Sequence, residues 1–447
     1  MKTTPVRLGI TAMLIMTLSA CSYLRGLNDE KRRLSEEEKE GRIEMVLGDE
    51  AIEADPDLAS TTIELPEARP LASWPEAGSK PSKSAGHVAA ASALEIAWSV
   101  NAGQGTTRAS ALTTPPVASE TTIFVVDADQ TVRAFSLQNG SRIWQRELDS
   151  GNSRDKRGIG SGLAYSSGRL IVASGFGFVS ALDAETGSEI WRRDMEAPMT
   201  GSPTIVDGRI FVSSNNNEIF ALDLNDGRVL WSDQAIAESA RVLGSPSPAA
   251  VEDIIIAPYS SGEVIAYLAA NGRRLWTEAL SRPGQFTPIS SINDIASRPI
   301  VGGGLVFAAN QSGVMAAIDG RTGDRVWVQP IGSTSAPSLV GQYIFVSGTD
   351  ARIAAINAGS GKVYWVQQLR EFEREKKQRG RISYAGPLLA SNQLLLTSSL
   401  GTVIALSPQT GERIGSLELK DPVYLEPISV GDKVFVLTDD ARLVAIR

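Results

Sequence analysis

The chain is nearly devoid of the two residue types that carry most soft-metal and nucleophilic chemistry: it has one cysteine, Cys21, and one histidine, His87, among 447 residues. Disulfides, zinc sites built from Cys and His, thiol catalysis within the body and histidine-based triads are excluded together. Long apolar runs are missing beyond the extreme N-terminus, so no later segment reads as a membrane-spanning helix. Positive charge is not in excess either. Lys and Arg number 43 against 51 Asp and Glu, a formal net charge of -8, which gives no phosphate-collecting surface and leaves nucleic acid out as a partner. The negative charge is uneven: residues 28–57 hold twelve Asp or Glu against five Lys or Arg, a net of -7.

What is present begins with an address. Lys2 and Arg7 precede the apolar stretch from Leu8 to Leu18, which has the charge and length of a secretory signal rather than of a membrane span. The stretch ends in Leu18-Ser19-Ala20-Cys21, which resembles the bacterial lipobox, so residues 1–20 are expected to be a signal peptide and Cys21 the lipidated residue. Acyl chains such as palmitate contribute about 0.8 kcal/mol per buried methylene, enough in combination to hold the protein on a membrane. Ser22 follows the lipid site, and among bacterial lipoproteins this resembles an outer-membrane destination rather than retention at the inner membrane.

Residues 21–90 read as the lipidated cysteine followed by a flexible tether. The charged stretch from Asn28 to Glu53 has no sustained apolar stripe, so a helix there is marginal by itself. Pro66, Pro70, Pro75 and Pro81 then interrupt any regular element. Such a tether is expected to contribute little to folding, the alternative being that part of it packs on the body.

From residue 91 to 447 one pattern recurs: Ala, Leu or Ile, often Asp or Asn, a short turn ending in Gly, and Trp four positions later. The clearest copy runs from Ala181-Leu182-Asp183 through Gly187 to Trp191; others reach Trp231 through Gly227, Trp327 through Gly323 and Trp365 through Gly361. Looser copies reach Trp144 and Trp276, and a further one, Ala405-Leu406 with Gly411, has Gly415 in place of Trp. Asp or Asn can bond the turn backbone, Gly supplies the positive φ that closes a short hairpin, and Trp offers a large apolar face to wedge between sheets. Seven such hairpins leave two orphan halves, Glu95-Ile96-Ala97-Trp98 near the start and Val444-Ala445-Ile446 at the end. Joined in space they make an eighth unit. The predicted fold is therefore all-β, an eight-bladed β-propeller of four-stranded antiparallel blades closed by an N-terminal strand, which removes the exposed sheet edges of an open array.

This repeat resembles the tryptophan-docking motif of the quinoprotein propeller family, over nearly all of residues 91–447. With the lipobox and tether, the whole chain is similar to the BamB family of lipoprotein propellers in the β-barrel assembly machinery. That resemblance implies a scaffold without cofactor on the periplasmic face of the cell outer membrane. It also implies binding to the POTRA region of BamA and help in delivering, folding and inserting unfolded outer-membrane proteins. The family's partner contacts come from two neighbouring interblade loops, here Glu238–Gly244 and Ser291–Ile295, which puts Arg241, Val242, Leu243 and Asp294 forward as contacts. The family's Leu-x-Leu-Arg order is replaced by Ala240-Arg241-Val242-Leu243, and Ala296 stands where a second family aspartate falls. Loop length points the same way, because in a propeller the long connections after Trp144, Trp231, Trp276 and Trp365 build one surface.

Two rival functions remain in view. A dehydrogenase using pyrroloquinoline quinone needs calcium held by oxygen ligands, a catalytic carboxylate and an aromatic platform. Seven of the eight Trp are taken by blades, and Trp74 lies in the tether, so no Trp is left over for that platform. An envelope propeller that binds glycans or peptides is the third class; copurification with BamA separates it from the first. The mixed-charge run Arg370–Lys377 reads as a solvated loop or short helix, and Gly302-Gly303-Gly304 as a strand turn rather than a phosphate cradle. Replacing Cys21 by serine is expected to abolish incorporation of radiolabelled palmitate and to release the protein from membranes; undiminished labelling of the variant would refute the lipid assignment.

Overall fold

Each Ala-Leu-Asp turn closes a hairpin, and the hairpins assemble in fours. The computed structural model describes residues 51–58, 61–90, 92–151, 158, 160–236, 246–280 and 294–447. Eight four-stranded antiparallel sheets make the blades of a β-propeller, as the repeat count requires. Blade two is typical, with strands Ser161–Ser166, Arg169–Ser174, Phe178–Asp183 and Glu189–Asp194 running in chain order from the channel outward. In blade eight the strands Ile428–Val430, Lys433–Leu437 and Arg442–Ile446 are completed on the outside by Ile96–Asn101, with Trp98 opposite Ala445.

The outer hairpins share a feature that the repeat pattern did not disclose. In blade two Leu182 pairs with Glu189 but Ala181 pairs with Trp191, so one residue, Ile190, is bulged out of register. The same slip recurs in every blade, including the composite one. A bulge turns the strand and re-aims the following side chain, here the Trp, toward the next blade. It also leaves Ile143, Ile190, Val326 and Ile414 exposed on the outer edge.

The re-aimed indoles dock on the turn glycines. A Cβ on Gly187 would lie 2.6 Å from Trp144 and one on Gly361 2.7 Å from Trp327, and both glycines have positive φ, so only glycine suits these positions. Trp98 meets Gly140 in the same way, as Trp191 meets Gly227, Trp231 meets Gly272, Trp276 meets Gly323 and Trp365 meets Gly411. Six of the seven docking indoles also donate their N–H to a carbonyl of the same turn, as Trp144 does to Ala184 at 2.9 Å and Trp327 to Ala358 at 2.8 Å, whereas the Trp98 N–H has no partner among the described residues. Asp183 holds its turn from within, accepting from the Thr186 hydroxyl and amide, each at 2.8 Å. Those two bonds keep its carboxyl below the usual range, so the bracing is present at neutral pH and is lost as pH falls through that lowered value. The apolar core lies between blades: one cluster joins Trp327, Phe307, Ile356 and Val363, and another joins Phe124, Leu163 and Phe178.

The seam between blades seven and eight has no tryptophan, for a reason the ring supplies. A docking Trp needs a turn glycine on the next blade, and in blade eight no turn joins the strands Arg442–Ile446 and Ile96–Asn101. Glu95 and Arg447 bridge them with reciprocal backbone bonds of 3.1 and 2.8 Å. Gly415 therefore stands where Trp is expected, and Leu94 packs over it, 3.1 Å from where a Cβ would be.

The expectation of a flexible tether is corrected for residues 52–90, which belong to the same compact unit as the propeller. Ile52, Ile63, Trp74 and Val88 are buried against the blades, and His87 bridges the Pro66 carbonyl through Nδ1 and the Asn392 amide through Nε2. The four prolines that argued against regular structure favour an extended course, which suits a segment whose backbone bonds go to other strands. The run at 370–381 is a small hairpin, Phe372–Arg374 against Arg379–Arg381, around a 3-10 turn. Met1 to Glu50, including Cys21 and the signal segment, lie outside the described residues.

Truncating Trp327 to Ala is expected to cost about 3–5 kcal/mol of stability, and Gly361→Ala more than about 1 kcal/mol through forced φ and steric contact. Urea unfolding checks both, and a Gly361→Ala variant as stable as the parent would refute the docking argument.

Candidate functional site

The described ends of the connectors that carry the chain from one blade to the next converge on one mouth of the central channel. Thr113, Thr200, Ser247 and Thr334, each a few residues ahead of an inner strand, line a cavity of about 180 Å³. Its floor is Ala77, from the segment 69–90. Arg298 and Glu426 close the wall with a two-pronged ion pair whose second contact is 2.6 Å. Behind them Lys83 pairs with Glu76, both buried, and burial pushes the Glu76 carboxyl up and the Lys83 ammonium down from their ordinary values. Such a quartet balances its own charge and offers no free nucleophile. Among the described residues no group of three or more His, Cys, Asp or Glu is arranged to hold a metal ion.

Two connectors beside this mouth contain the predicted contacts. The first leaves blade three after Gln234 and is pinned at once: Ala235 donates to the Asn217 carbonyl at 2.9 Å and the Asn217 amide side chain donates to Ile236 O at 2.6 Å. Arg241, Val242 and Leu243 lie outside the described residues; the chain is described again from Pro246, which lines the mouth. The second leaves blade four, where Asn310 donates to the Leu280 carbonyl at 2.6 Å. It is described again from Asp294.

Asp294 is a correction. It is 2% exposed, its carbonyl accepts from the Gln311 amide at 3.1 Å, and Ile295 donates to Tyr259 O. Its burial and these main-chain bonds set Asp294 in the root of its loop rather than out as an exposed contact.

Between the two loop roots runs a polar chain that sequence reading missed. Arg274 bonds Asp233 at 2.7 Å, Tyr267 donates to Asp233 at 2.8 Å, and the Tyr267 and Tyr259 hydroxyls are 2.7 Å apart. Burial raises both phenols, so they stay protonated as hydrogen-bond donors. Tyr259 reaches the second loop through Ile295, and Arg274 reaches the first through the Gln234 carbonyl at 2.8 Å. No motif marks these residues; only the packing of blade three on blade four assembles them.

Comparison with known proteins places this geometry. A family model described as outer membrane protein assembly factor BamB matches residues 81–154, 129–367 and 349–447. The factor from Yersinia pestis is 27% identical over 219 residues, covering 48% of this chain and 56% of that one. The factor from Moranella endobia is 28% identical over 222 residues, covering 49% and 57%. The chain thus spans little more than half the length of these relatives. Among solved structures, BamB from Moraxella catarrhalis superposes with a TM-score of 0.66 at 19% identity, covering 79% of this chain and 99% of that one. A quinohemoprotein alcohol dehydrogenase from Comamonas testosteroni also superposes at 0.66, with 13% identity and 85% and 81% coverage. At such identities these two likenesses speak for the fold alone.

Asp294→Ala is expected to lower stability by about 1–3 kcal/mol, because it removes a side chain packed in a buried loop root. An exposed contact residue would leave stability unchanged, and urea unfolding distinguishes the two.

Proposed function

The chain belongs to the family of outer membrane protein assembly factor BamB, whose model covers the propeller from residue 81 to its last residue, and from that premise we propose that it is a non-enzymatic scaffold of outer-membrane protein assembly. Lipid on Cys21 holds it at the periplasmic face of the outer membrane. Its connector loops bind the POTRA region of BamA, and unfolded outer-membrane proteins are the cargo it helps to deliver. The family match over the propeller carries this reading, and the described roots of the two loops support it. Those roots are joined by the Asp233–Tyr267–Tyr259 chain, and a loop held at its root loses less freedom on binding. Arg241 then pairs with an acidic group of the partner, while Val242 and Leu243 fill an apolar recess.

The dehydrogenase reading has the fold likeness on its side but little else. Sites for small organic ligands usually span roughly 300–1,000 Å³, whereas the cavity at the channel mouth is about 180 Å³. Its floor is the chain's own segment. Trp74, the one tryptophan outside the blade repeats, is buried against blade one and provides no platform in that cavity.

A combined Arg241→Glu and Leu243→Ala variant is expected to bind the isolated POTRA region of BamA at least about tenfold more weakly, since a few anchors carry most interface energy. Calorimetric titration measures it, with circular dichroism as the folding control and Arg374→Glu with Lys376→Glu as a charge-matched comparison. Unchanged affinity in the loop variant would move the contact surface elsewhere, and failure of the parent chain to copurify with BamA would favour the glycan- or peptide-binding alternative.

A further inference from the structure

The inner strands of a propeller present one unpaired edge each to the channel, and here those strands are as short as Val117–Ala118. Residues 71–88 run around that ring of edges at the channel end opposite the connector mouth. In order around the ring, Gly431 of blade eight donates to Leu71 O at 2.7 Å, Trp74 and Ala118 of blade one exchange bonds of 2.8 and 2.7 Å, and Tyr165 of blade two donates to Pro75 O at 2.6 Å. Glu76 faces Thr204 of blade three. Ala250 of blade four then donates to Pro81 O at 2.7 Å and Val301 of blade five to Ser82 O at 2.9 Å. The Ser84 hydroxyl donates to Leu339 O of blade six at 2.9 Å, and Val88 exchanges bonds with Leu389 and Ser391 of blade seven at 3.0 and 2.9 Å.

We infer that this end of the channel is a binding site for an extended peptide, and that the chain fills it with its own residues 69–90. The recognition has two parts, as in other complexes where a strand is added to a sheet edge. Main-chain bonds to the blades supply affinity without regard to sequence. Three buried side chains, Trp74, Lys83 and Val88, supply register. Lys83 is the most selective of them. A reversal through Gly78, where a Cβ would touch the Lys83 backbone at 2.8 Å, folds Lys83 back onto Glu76, and the Arg298 guanidinium packs on the same glycine. Burying an ammonium is tolerable only with this partner set, and an uncharged residue at position 83 leaves the buried Glu76 carboxyl without its ion-pair partner. The occupied site makes the channel blind: any ligand of the cavity enters from the connector side, and a foreign extended segment finds the ring of edges already taken.

The test cuts the full chain at a protease site inserted between Ser92 and Ala93, both exposed and ahead of the Trp98 strand. Size exclusion is expected to show the N-terminal fragment still bound to the cut propeller, and released from it when Lys83→Ala is present. A fluorescent peptide of residues 66–90 should then bind the emptied propeller, and its Lys83→Ala form at least about a hundredfold more weakly, the factor that losing one partner of a buried pair carries. If Lys83→Ala fails to fold, exchange of excess labelled peptide into the cut parent protein reads the same site. Release of the parent fragment with the propeller still folded would overturn the proposal. So would unfolding of the cut parent, which would make the segment part of one cooperative core, or equal binding of the two peptides.

Discussion

Everything in this ring depends on an indole lying flat against a turn that has no side chain. The contact couples two requirements in different blades: a bulge that re-aims the Trp, and a glycine in the left-handed region on the neighbour. Since each of blades one to six supplies the Trp for one seam and the glycine for another, the interaction propagates around the ring, and no blade carries a complete seam alone. Repeat proteins gain stability from nearest-neighbour interfaces of this kind, and here the interface is mostly one aromatic face and one N–H donor.

The exception at the seam of blades seven and eight follows from the same constraint. The ring is closed by two strands from opposite parts of the sequence, Ile96–Asn101 and Arg442–Ile446, which meet in the outer hairpin of blade eight without a turn between them. The turn that would receive a Trp is replaced by paired backbone groups of Glu95 and Arg447. Gly415 and Leu94 are the accommodation to that gap. The segment before residue 90 adds a second closure: it ties the inner strands together across the channel rather than sealing one seam.

The consequence for function is a division of the molecule into two ends. One end of the channel is filled by the chain's own extended segment and its buried Lys83–Glu76 pair. The other is a shallow polar mouth rimmed by connectors. Asn217, Asn310 and the Tyr259–Tyr267–Asp233–Arg274 chain pin the described roots of two of these connectors in blades three to five.

The sequence by itself determined the blade number, the closing strand and the place of every docking Trp, because those rest on local turn chemistry repeated at a fixed period. Glycine at a positive φ and Trp four positions later form a pattern within a dozen residues, and periodicity multiplies the signal. It also marked which connectors are long. Tertiary structure alone decided the rest. That residues 52–90 pack could not be read from composition, because their partners are inner strands scattered over more than three hundred residues and the bonds are mostly backbone. The buried state of Lys83 depends on Glu76, Arg298 and Glu426 meeting across the channel, and the burial of Asp294 on a loop root in contact with Tyr259. Local pattern reports what a residue does to its own turn; it is silent about partners that only the closed ring brings within reach.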